Sequence, residues 1–135
     1  MPEPSIHYEF PQGLPAFERE TNFRLLEPPA IHPLALLESL STPGLRFVCI
    51  AIHWLVPSYR FELSDDEKSN LQGDQDLKCL ALVTFPENGS PTANLRAPVL
   101  LNPVTRRGLQ SIQTDSSYDL FHPLHPDPPK GPSCS

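Results

Sequence analysis

The chain has 135 residues, 18 of them proline, with a formal net charge of −6 and a pI near 5.2. That length suits one domain with a real core, and proline at this density breaks helices, which excludes a long-helix architecture. The acidic balance argues against nonspecific binding to nucleic acid or to a membrane surface, and fits a basic protein partner better.

No basic-then-apolar leader opens the sequence, and no apolar run approaches the ~18 residues of a membrane span, so a cytoplasmic protein is expected. The three cysteines have no CxxC spacing. Cys49 and Cys79 lie in apolar runs and are expected as small buried thiols, with Cys134 a free thiol near the end.

Residues 6–10 alternate apolar and polar as a first strand. Pro11, Gly13 and Pro15 then force a turn, after which Phe17 is expected to tuck into the core. Residues 22–27 read as a second strand, stopped by Pro28 and Pro29. The run 33–40 fits neither period cleanly, although propensity favours a helix. Residues 46–56 form the longest apolar stretch, rich in β-branched and aromatic side chains. They read as a strand covered on both faces, with Trp54 buried and Pro57 ending it.

Residues 59–63 alternate again, as a further strand. Ser64 followed by Glu67 makes a capping box, and Asp65 and Asp66 suit the positive end of a short helix ending before Gly73. Residues 77–85 read as a second two-sided strand. Residues 92–113 then read as a hairpin that turns at 102–105 and continues past Arg106 and Arg107, with Pro98 marking an edge or a bulge in its first arm. The total is six or seven strands and one short helix. This is an all-β, mainly antiparallel fold, a small barrel or a sandwich, spanning residues 1–125, with residues 126–135 as a flexible proline-rich tail.

Little in the chain points to catalysis. There is no G-x-S-x-G, no glycine-rich phosphate loop and no H-E-x-x-H, and capping explains the carboxylates at 65–67. His122 and His125 lack the supported ligand set that a metal needs, and His53, beside Trp54 within an apolar strand, reads as a satisfied core or edge histidine. The expectation is a non-enzyme without cofactor or metal. Six of the fifteen residues 62–76 are acidic and one is basic. A solvated helix face would explain that. The functional alternative is a surface that steers a basic partner, with Glu62, Asp65, Asp66 and Glu67 as its candidate contacts. Arg96, Arg106 and Arg107 make an opposite patch, readable as solubilising charge on an exposed hairpin.

The window TANLRAP, continued as L-N-P-x-T-R-x-G-x-Q, resembles the signature of the bacterial flagellar assembly factor family FliW. The matching positions are Asn94, Leu95, Arg96, Ala97, Pro98, Asn102, Arg106 and Gly108. The likeness extends in order from Phe10-Pro-Gln-Gly-Leu-Pro-Ala-Phe17-Glu18, through Phe23 to Glu27 and Pro57-Ser-Tyr59, to Tyr118 and His122-Pro-Leu124. It implies a barrel-like fold and a strand at 33–40. It also implies a protein that is monomeric when free and binds flagellin in the cytoplasm. Alternatively the protein sequesters the RNA-binding repressor CsrA, relieving repression of flagellin synthesis without touching nucleic acid itself. The sequence departs from the family pattern at Ala51-Ile52, where Asp-Pro is usual, and at Ser58, where Asp is usual. The second reading from the residues is a small-ligand or carbohydrate-binding barrel, from a Trp and a Tyr near one strand end.

Overall fold

The structure, a computed structural model, describes residues 5–114 and 117–124. Among these, nine strands are formed: β1 Ser5–Glu9, β2 Asn22–Leu26, β3 Leu34–Ser39, β4 Arg46–Ala51, β5 Lys78–Thr84, β6 Thr92–Ala93, β7 Val99–Asn102, β8 Arg107–Gln110 and β9 His122–Pro123. Two helices, α1 Ile52–Leu55 and α2 Asp65–Leu71, lie between β4 and β5. The ladder runs β4-β3-β2-β1-β8-β7-β5 and closes when β4 pairs with β5, so seven strands make a barrel. Strands β6 and β9 extend from β5. All pairings are antiparallel except β1 with β8, which meet in parallel at Glu9 and Arg107.

Alternation along the central strands divides the apolar residues between two faces. Tyr8, Phe23, Leu25, Leu37, Cys49, Leu80, Val99 and Leu101 form one cluster with Phe10 and Leu14. Because nearly every barrel strand contributes to it, this cluster fills the barrel interior. Ile50, Cys79, Ala81, Leu100 and Leu109 point the other way, where Ile52, Tyr59, Leu71 and Leu95 cover them. Both faces of β4, β5 and β7 are therefore apolar. Burial pushes the thiols of Cys49 and Cys79, one in each cluster, up to about 12.

Leu34–Ser39 is a strand, paired on one side with β2 and on the other with β4. Ladder bonds on both edges outweigh the helix propensity of its leucines. Gly13 holds the preceding turn with φ +66, and a Cβ there would lie 2.5 Å from the Phe17 carbonyl oxygen. Phe17 itself sits at the rim. It is 37% exposed and packs edge-on against Phe47, while Phe10 and Leu14 are the buried anchors of this loop.

Three expectations need correction. The run 46–56 is not one strand. Its pairing with β5 ends at Ala51 opposite Leu80, and the chain then winds into α1, where the Val56 amide donates to the Ile52 carbonyl. Within that turn Ile52 points in and is fully buried, whereas Trp54 points out, is 58% exposed and meets His32 edge-on at 5.1 Å. An apolar run that changes from period 2 to a helical turn looks two-sided in sequence.

The segment 59–63 keeps the alternating burial its sequence predicts but belongs to no ladder. The Tyr59 hydroxyl donates to the Leu95 carbonyl at 2.6 Å, and the Tyr118 hydroxyl accepts from the Arg60 amide at 3.0 Å, so side chains replace the missing neighbour. The first arm of the 92–113 hairpin is also broken. Asn94 Oδ1 accepts the Arg96 amide, an Asx turn, and pairing with β8 begins only at Val99. Pro98 stands just before that strand, where its missing N–H costs nothing, and its carbonyl accepts from Ser111. No bulge is needed. The expected tail at 126–135, with His125 and Cys134, lies outside the described residues.

Candidate functional site

The signature positions are structural fasteners. Asn102 is buried; its Nδ2 donates to the Leu71 carbonyl at the end of α2, and its Oδ1 accepts the amides of Val104 and Thr105. One side chain thus closes the β7–β8 turn and ties α2 to it. The Thr105 hydroxyl donates to the same Leu71 carbonyl at 2.8 Å. Gly108 lies beneath the Phe10 ring, where an added Cβ would approach Phe10 Cζ to 2.6 Å and Leu101 Cδ2 to 2.8 Å.

Leu95, Ala97 and Pro98 are buried, and the Arg96 guanidinium donates to the Tyr118 carbonyl at 2.7 Å. Arg106 adopts φ +63, and its carbonyl accepts the Glu9 amide at 2.8 Å, while Arg107 Nε lies 3.7 Å from the Glu9 carboxylate. The arginines read as solubilising charge therefore join the hairpin to β1 and to the Tyr118 segment. Only the Arg106 side chain is exposed.

The acidic segment is different. Ser64 caps α2 as its spacing predicts: Ser64 Oγ accepts the Glu67 amide at 3.1 Å, and Glu67 Oε1 accepts the Ser64 amide at 2.9 Å. Glu67 is half-buried and its carboxylate is engaged in that box, which removes it from the set of free charges. Glu62, Asp65 and Asp66 are exposed and, among the described residues, form no ion pair. Lys68 lies 4.0 Å from Asp74 at the far end of the helix. The structure thus brings Glu62 and Glu67 to one groove of about 510 Å³, whose other walls include Arg60, Phe61, Leu63, Ile112, Gln113 and Tyr118.

Gln113, a residue the sequence did not single out, holds this groove together. Its Oε1 accepts the Glu62 amide at 2.9 Å and its Nε2 donates to the Glu62 carbonyl at 3.0 Å, as a neighbouring strand would. A lone glutamine in a polar stretch carries no signal of such a role.

A second surface surrounds Trp54. A groove of about 360 Å³ lies to one side, lined by Pro28, Pro29, His32 and Ala51 among others. One of about 290 Å³, with Leu55, His122, Pro123 and Leu124, lies to the other. Ala51 is the N-cap of α1 and supplies no side-chain hydrogen bond. Asp-Pro, usual in the family here, would be a cap followed by proline at the first helical position, so the missing acid is a lost helix-start signal. His53 is exposed, with Nε2 3.1 Å from the Tyr59 carbonyl. His122 pairs with Ala93 in the β6–β9 ladder, and its Nδ1 is 3.9 Å from Asp119. Among the described residues no three His, Cys, Asp or Glu side chains are grouped to hold a metal ion, and no helix is long and apolar enough to cross a membrane.

The family model described as FliW protein matches residues 2–124. The chain belongs to the FliW family. It is 39% identical over 121 residues to the flagellar assembly factor FliW of Geobacillus sp. (strain WCH70), covering 87% of this chain and 83% of that one. The FliW of Syntrophomonas wolfei is 35% identical over 118 residues, covering 85% and 76%. A solved structure, the crystal structure of the flagellar assembly factor FliW, superposes with a TM-score of 0.78 at 36% identity, covering 89% of this chain and 86% of that one. The fold is the FliW barrel, and the window that carried the resemblance holds fasteners that close it.

Proposed function

We propose that this protein acts in flagellar assembly by binding alone. It would hold flagellin in the cytoplasm and, when flagellin is scarce, sequester CsrA and so relieve repression of flagellin synthesis. The observation that carries the reading is membership of a flagellar assembly factor family over nearly the whole chain. Two exposed surfaces on one scaffold give it physical content. Glu62, Asp65 and Asp66 form an unpaired acidic face suited to a basic, RNA-binding partner. Trp54 and its flanking grooves offer an apolar anchor for flagellin, tryptophan being a frequent hot-spot residue. The reading as a small-ligand barrel has less support, because Tyr8, Phe10, Phe23, Leu37 and Leu101 fill the interior where such a ligand would sit.

Titration calorimetry of the free protein with purified flagellin, and separately with purified CsrA, tests the proposal. A stoichiometric complex with each is expected, and competition between them when all three are mixed. Heat changes indistinguishable from dilution with both partners would overturn it.

A further inference from the structure

Residues 60–63 belong to no strand but keep a strand's two-residue alternation: Arg60 and Glu62 are exposed and have their backbone fastened, while Phe61 and Leu63 are half-buried and have theirs open. The Arg60 amide donates to the Tyr118 hydroxyl, and both backbone groups of Glu62 are taken by the Gln113 amide. In an extended chain successive residues present their N–H and C=O to opposite edges. The groups of Phe61 and Leu63 therefore point away from Gln113. Among the described residues neither has a backbone hydrogen bond, and neither belongs to a ladder. Their side chains are half-buried against the outer core cluster, so this open edge is held in place. A second groove of about 490 Å³, lined by Phe61, Glu62, Leu63, Lys68 and Asp74, leaves room beside these residues away from Gln113.

We infer that this edge receives an extended peptide segment of a protein partner by strand addition. Two residues offer four backbone groups, and their neighbours set the chemistry of the guest. The side chain of Glu62 is exposed on one face, with Asp65 and Asp66 beside it in sequence and without ion-pair partners, while Phe61 and Leu63 face the core. The guest strand therefore carries Lys or Arg on the face it shares with Glu62 and apolar side chains on the other. An unpaired strand edge is otherwise a hazard for aggregation, and the surrounding carboxylates make this one selective against acidic or neutral strands. The inference deepens the proposed function and rests on its assignment of the acidic side as a partner-contact face.

The test uses the full-length, isotope-labelled protein and the synthetic peptide acetyl-Lys-Val-Lys-Val-Lys-Val-Lys-amide. In the free protein the amides of Phe61 and Leu63 exchange with solvent faster, by about tenfold or more, than those of Arg60 and Glu62. Peptide at about 1 mM protects Phe61 and Leu63 and leaves Glu62 unchanged. N-methylation of alternate peptide residues abolishes protection in one register and spares it in the other, and a glutamate version of the peptide does not bind. Binding without protection of Phe61 and Leu63, indifference to N-methylation, or no binding of the lysine peptide overturns strand addition.

The same exchange measurement with flagellin and with CsrA separates the two claims. If CsrA, the partner assigned to the acidic face, binds and leaves both amides unprotected, strand addition fails and the partner reading stands. If neither binds while the peptide protects the edge, the partner reading fails and strand addition stands.

Discussion

Residues 94–108 and residues 62–76 divide the molecule's work in opposite ways. The first stretch carries the recognisable signature and is largely enclosed: Leu95, Ala97, Pro98, Asn102 and Gly108 are buried, and Asn102 Nδ2 and Arg96 Nε donate to backbone of other segments. The second has no distinctive motif beyond its helix cap and is open to solvent over most of its length. The residues that carried the resemblance in sequence are thus ones that close the barrel, while the free charges lie elsewhere. A signature can report a fold with high specificity and still name no contact residue.

Five substitutions and one charge reversal sharpen that contrast. Gly108→Ala drives a methyl into the Phe10 ring and should cost about 3 kcal/mol in urea denaturation. Phe10→Leu in the same chain should recover part of that loss, and strict additivity of the two changes would argue against the clash. Asn102→Ala leaves the Val104 and Thr105 amides without their acceptor and should cost about 2 kcal/mol, with the end of α2 loosened. Ala51→Asp restores a cap to α1 and should gain about 1 kcal/mol, read as a higher melting temperature.

Trp54→Ala removes an exposed ring, so stability should stay within about 1 kcal/mol of the parent while flagellin affinity falls in calorimetry. Reversing Glu62, Asp65 and Asp66 to Lys leaves the barrel untouched and should cost about 1 kcal/mol, since Asp65 and Asp66 lie in the first turn of α2. Association with CsrA should slow and lose its salt dependence. Glu67 is left out of that set, because its reversal would break the capping box and confuse charge with folding.

Local chemistry was the most legible part of the sequence. The Ser64–Glu67 box, the Pro28–Pro29 stop and the 102–105 turn depend on residues a few positions apart, and each stands where its spacing puts it. The two-sided strand at Lys78–Thr84 was legible for the same reason, since both its faces are covered. The strand at Leu34–Ser39 was not decided by its own leucines. Likeness to a family supplied it, and pairing with β2 and β4 holds it there. Trp54 shows the limit most clearly. Nothing in Ile52-His53-Trp54-Leu55 announces that the ladder has run out, because that depends on where Leu80 falls in a strand far along the chain. The candidate site was half legible: its acids could be counted, but Gln113, which shapes the groove they line, could not be found without the fold.

The parallel rung between Glu9 and Arg107 also bears on the order of events as the chain folds. Strands β1 to β4 follow one another as a meander, and β7 and β8 form a hairpin, so both sets can pair soon after local collapse. Closing the ring requires β1 to find β8 across nearly the whole chain, and it is rewarded there by a single rung. Loop-closure entropy makes such a contact late and slow compared with its neighbours. The seam between the first strand and the signature hairpin is therefore where the barrel finishes forming, and changes to Arg106 or Arg107 should act chiefly on how fast the ring opens once made.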